Sequence, residues 1–141
     1  MVGILNRFKK YNISTQKQME NQDNSPVAKL ENLFTQHFEQ FAANPAMAAV
    51  IFSEEIFQNE KQLADHVFTI MQGTLDHVAG IIDEGQKRGQ MRDDVPPDQL
   101  TMLVIGALRL LVTRWRLSRH AFDLQEQGAQ LCKTVEQILR K

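Results

Sequence analysis

"GIIDEGQKRGQMRDDVPPDQL", residues 80–100, interrupts the most regular part of the chain. An apolar-periodic stretch runs into it, and another leaves it after two adjacent prolines. Gly85 and Gly89 supply an exit from the first helix, since glycine readily takes the left-handed cap conformation. Pro97 suits the first turn of the next helix, where a missing N–H costs nothing. Asp98 then lies near the positive end of that helix dipole. The stretch therefore predicts a corner between two long helices.

Working outward, Leu63, Ala64, Val67, Phe68, Met71, Leu75, Val78, Ala79 and Ile82 recur with a 3.6-residue period. They predict a helix that begins near Ser53 or Asn59 and ends at the corner. Ser25 followed by Pro26 is a cap and first-turn signal. It opens a helix whose apolar face is Val27, Leu30, Phe34, Phe38 and Phe41. Asn44-Pro45 stops that helix and starts a short one, AMAAVIFS. On the far side of the corner a helix runs from 97 to about 119. A last helix carries Leu124, Gly128, Leu131, Val135 and Ile138 on one face. No stretch alternates long enough to make a strand. The predicted fold is all-α, a helical bundle of about five to six helices.

Residues 1–24 differ from the rest: after Ile4, Leu5 and Phe8 comes a polar run rich in Asn and Gln with no sustained period. They read as an N-terminal arm, or a short connecting helix, followed by a linker. Residues 25–141 form the single domain, long enough to bury a core without disulfides or metal. A net charge of −1 implies no bulk attraction to nucleic acid or membrane. Cys132 is the only cysteine, so no internal disulfide forms and a reducing, cytoplasmic setting is expected. The apolar run from Met102 to Val112 is broken by Arg109 and falls short of the ~20 residues that span a bilayer.

The helix after the corner is apolar on two sides. Leu100, Val104, Leu108, Leu111 and Trp115 make one stripe; Leu103, Gly106, Leu110 and Leu117 make a second, roughly opposite. A helix with two apolar faces must be covered on both. The last helix covers part, and a second copy of the chain is the natural cover for the rest. The expected homodimer interface is Leu103, Gly106, Leu110, Leu117, Leu124, Gly128, Leu131, Val135 and Ile138, with the two glycines allowing close helix approach.

No catalytic constellation is evident, and the chain reads as a non-enzyme. His66 and His77 share a helix face but stand ~16 Å apart along the axis, too far for one ion. Neither a metal site nor a cofactor is expected. Cys132 reads as a small buried hydrophobe rather than a reactive thiol. The GQKRG run lacks the Lys-Ser/Thr and the preceding strand of a phosphate loop. Arg109, Arg114, Arg116 and Arg119 form a local basic cluster but are spread around the helix, flanking its apolar stripes. Arg109 sits deepest among apolar neighbours and calls for a carboxylate or an acidic ligand. Phe68, Met71 and Leu75 share an interior with Val104, Leu108 and Trp115. With Arg109 they are the candidate lining of an apolar ligand pocket; plain core packing is the competing reading.

SPVAKLENLFTQHFEQF, NPAMAAVIFSEE, IIDEGQKRGQMRDDVPPDQL and GALRLLVTRWRLSRHAFDLQEQGAQL, in that order, resemble the C-terminal regulatory domain of tetracycline-repressor-like (TetR family) transcriptional regulators. The resemblance spans about residues 25–140. It implies a domain that dimerises through its last two helices and encloses a pocket for a small apolar or amphipathic effector. Such regulators carry an N-terminal helix-turn-helix head, and residues 1–24 are too few to hold one. DNA binding is expected only if such a head is present. Pro96 stands where relatives often have a capping Asp or Ser. The expected function is effector sensing and homodimerisation; the alternative is a structural helical module that dimerises without a ligand.

Overall fold

The structure is a computed structural model that describes residues 25–51 and 61–141. The arm expected over 1–24 and the helix start expected near Ser53 or Asn59 lie outside the described residues. Five helices are described: α1 (Pro26–Ala43), α2 (Pro45–Ile51), α3 (Lys61–Lys87), α4 (Pro97–Leu117) and α5 (Leu124–Leu139). Among the described residues there is no strand, only an isolated bridge between Met91 and Arg140. No described helix is long and apolar enough to cross a membrane.

Each helix starts where local chemistry dictates. The Ser25 hydroxyl accepts the Ala28 N–H at 3.2 Å, with Pro26 in the first turn of α1. The Asp123 carboxylate accepts the Glu126 N–H at 3.1 Å to start α5. Pro96 occupies the cap position of α4 without a side-chain cap, and Asp98 lies in the first turn as expected. Gln86 steadies this approach instead: its amide donates to the carbonyls of Arg92 and Val95 at 2.9 and 2.8 Å.

At the corner the two glycines act differently from the expectation that both end α3. Gly89, at φ 71°, is the left-handed exit. Gly85 is buried inside α3, where a Cβ would stand 2.6 Å from the Met91 sulfur. Its missing side chain lets Met91 fold back beneath the helix end. The Arg92 N–H then donates to the Leu139 carbonyl at 2.7 Å, tying the corner to the end of α5.

The four long helices close a ring in which α1 packs on α3 and α5, and α4 on α3 and α5. Leu30, Phe34, Phe38, Val78, Ile82, Val112 and Leu124 are among the fully or nearly fully buried residues of this core. Phe34 and Phe38 meet edge to face at 6.1 Å. Gly128 brings α5 against α1: any Cβ there would overlap the Phe38 ring. Gly128 thus serves packing within the chain, and Leu124 and Val135, buried on the same face, do so as well.

Candidate functional site

Between α1, α3 and α4, with Ile51 of α2 at its edge, lies an almost wholly apolar cavity of about 80 Å³. From α3 it is walled by Val67, Ile70, Met71 and Thr74, which follow the helical period. Ile105, Leu108 and Arg109 close it from α4, and His37 and Phe41 from α1. The Thr74 hydroxyl donates to the Ile70 carbonyl at 3.3 Å, leaving its lone pairs toward other partners. His37 is 4% exposed, and burial, aided by the nearby His77, pulls its pKa down to about 4. At neutral pH the cavity wall therefore carries a neutral imidazole.

Arg109 also lines a second space. An open groove of about 720 Å³ runs between α2 and the end of α4, bordered by Pro45, Ala46 and Ala49 on one side. Arg109, Thr113, Arg116, Leu117 and His120 border the other, and no carboxylate is among its described lining residues. His120 is set by local geometry. Arg119 and His120 both adopt left-handed backbone, at φ 58° and 63°, after α4 ends. The His120 N–H donates to the Trp115 carbonyl at 2.8 Å, and its ring stacks on Trp115 at 3.9 Å. These contacts hold a conformation that side-chain-bearing residues otherwise resist.

The expected pocket residues divide. Met71, Leu108 and Arg109 line the cavity together. Val104 and Trp115 are buried on the same stripe of α4 as Leu108, but do not border it. Leu75 is half-buried and also outside it. Phe68 is 63% exposed and lies beyond the wall, because the inward stripe of α3 passes through Val67, Ile70, Met71 and Thr74. His37, Phe41, Ile51, Val67, Ile70, Thr74 and Ile105 were missed. The period would have pointed to Val67, Ile70 and Thr74; His37 and Ile51 come from elements whose placement the sequence pattern does not give.

The expected interface residues divide as well. Leu103, Gly106, Leu110, Leu117 and Ile138 are exposed on the single chain, and Leu131 is half-buried. Leu124, Gly128 and Val135 instead face the chain's own core, because α5 must cover α1 as well as α4.

Cys132 is buried, and its thiol, 3.8 Å from the Glu136 carboxylate, is pushed up to about 12 by burial and the nearby carboxylates. It is a thiol, not a thiolate, at neutral pH. Desolvation and the neighbouring Glu31 push Glu136 up to about 7. Among the described residues no group of three or more His, Cys, Asp or Glu side chains could hold a metal ion.

Residues 6–139 match the family model described as YsiA-like protein, C-terminal region, of TetR type. The fatty acid metabolism regulator protein of Bacillus subtilis (strain 168) is 24% identical over 96 residues, covering 68% of this chain and 49% of that protein. The chain thus spans about half the length of this curated relative. The crystal structure of the transcriptional regulator FadR from Bacillus subtilis in complex with stearoyl-CoA superposes with a TM-score of 0.80 at 20% identity, covering 97% of this chain and 75% of that one. The MbdR regulator from Azoarcus sp. CIB gives a TM-score of 0.85 at 18% identity, covering all of this chain and 76% of that one. These likenesses show a shared all-α fold.

Proposed function

The chain belongs to the family of YsiA-like C-terminal regions of TetR-type transcriptional regulators, which are not enzymes, and from that premise we propose that it senses an amphipathic, anionic effector. One observation carries the reading: Arg109 borders both the apolar cavity and the basic groove. An effector with an apolar body and a negatively charged head would place the body among Met71, Ile105 and Leu108. Its head would meet Arg109, Arg116 and His120. A guanidinium suits this junction because it pairs with phosphate or carboxylate in a forked geometry while its stem lies along apolar surface. Acyl-CoA thioesters have this build, and the Bacillus subtilis FadR structure holds one.

In this reading the domain forms a homodimer through the outer stripe of α4 and the exposed edge of α5, in the cytoplasm. The effector favours one arrangement of the two subunits, and its differential affinity for the two arrangements is the regulatory signal. DNA contact enters only through a helix-turn-helix head.

Isothermal titration with acyl-CoA thioesters and free CoA tests the proposal. The intact chain should bind a thioester more tightly than CoA. Arg109→Met, which keeps the stem and removes the charge, should weaken binding roughly ten-fold or more while leaving the fold intact. Unchanged affinity in that variant would remove Arg109 from the site and the reading with it.

A further inference from the structure

We propose that this site takes a compact apolar body, a short acyl chain or a single ring, and excludes a long unbranched tail, with Met71 and Ile105 setting the limit. The inference rests on the reading of the cavity as the effector site.

The cavity measures about 80 Å³. An apolar cavity of about 150 Å³ admits benzene, and sites for drug-sized ligands run to roughly 300–1,000 Å³. A short acyl group or one ring is within reach of local adjustment; a tail such as the stearoyl group bound by the Bacillus subtilis relative needs several times the space.

Among the described residues, α1, α3 and α4 do not offer that space along their length. On α4, Val104 and Val112, one turn to either side of Leu108, are buried, as is Val78, one turn beyond Thr74 on α3. On α1, Phe34 and Phe38 are almost fully buried beside His37. Displacing such residues means breaking a close-packed core. Met71 and Ile105 differ from these neighbours. They line the cavity yet are only half-buried, so shortening them disturbs the core less than shortening a fully buried neighbour. The thioether of Met71 is also the most adaptable part of the wall.

The test is a titration of the full 141-residue chain with acetyl-, butyryl-, hexanoyl-, benzoyl-, lauroyl- and palmitoyl-CoA, each kept below its micellar concentration. Butyryl-, hexanoyl- or benzoyl-CoA should bind tightest, with palmitoyl-CoA weaker by roughly ten-fold or more. Met71→Ala and Ile105→Ala should shift the preference toward lauroyl-CoA, with circular dichroism confirming that each variant is folded. Palmitoyl-CoA binding as tightly as the short thioesters would overturn the size limit. So would a preference that neither variant moves, or equal affinity for every thioester and for free CoA. If no thioester and no CoA binds the folded chain, the effector reading itself fails, and the size limit falls with it.

Discussion

His37 presents an imidazole to the apolar cavity, and its pKa of about 4 has a consequence for stability. In the unfolded chain the ring titrates near its usual 6.5. As pH falls from 6.5 toward 4, the unfolded state takes up a proton that the folded state refuses, so stability present above that window is lost across it. At about pH 5 the loss is roughly 2 kcal/mol. His37→Gln should flatten this part of the stability–pH curve in urea titrations. Glu136 runs the other way. Its carboxyl is raised from 4.5 to about 7, so the folded state holds the proton longer and stability falls as pH rises through that window. Glu136→Gln should raise the melting temperature above pH 7 and converge with the parent near pH 4.5; solvent screening keeps the gain to about 1 kcal/mol or less. Neither shift was legible in the sequence. His37 owes its shift mainly to burial, and Glu136 to desolvation and a carboxylate on another helix.

Among the elements, α5 shows how far periodicity reaches. The stripe through Leu124, Gly128 and Val135 was recognisable as apolar, but not the neighbour it covers. It seats on α1, with Gly128 against Phe38. Gly128→Ala should therefore cost about 1–3 kcal/mol in equilibrium unfolding, since the Phe38 ring is rigid and buried. Gly85→Ala should also destabilise, because the Met91 side chain that the new Cβ would strike is itself 1% exposed. For α4, the two-sided pattern read from the sequence is found with one difference: Leu100, Val104, Leu108 and Trp115 are buried and Leu111 is half-buried, while Leu103, Gly106, Leu110 and Leu117 are exposed. The corner was legible as a corner. That Gly85 seats Met91 was not, because a glycine's role in packing depends on what approaches it.

For the molecule as a whole, the exposed stripe of α4 is a cost that the described residues of the single chain do not offset. Leu103, Leu110 and Leu117 are between 61% and 80% exposed along one face, and Met102 adds to them. Aligned large apolar side chains of this kind mark an interaction surface. With the homodimer proposed above, Leu110→Glu should convert a dimer to a folded monomer at micromolar concentration, seen by light scattering with unchanged helical circular dichroism. A parent chain that is already monomeric would remove the dimer from the proposed function. Helix α4 supplies both this stripe and one wall of the cavity, so an effector that moves α4 acts directly on the surface proposed for the partner.

Helix period, capping residues and the Gly–Pro punctuation of residues 80–100 determined that the chain is an all-α bundle and that α4 is apolar on two sides. These are local properties, set by neighbours within a turn or two of the chain. Only the tertiary structure decided which stripe faces which helix. It joined His37 of α1, Met71 of α3 and Arg109 of α4 around one cavity and turned Phe68 outward. A side chain's burial and charge state depend on residues far away in sequence, and a helical pattern carries no address for them.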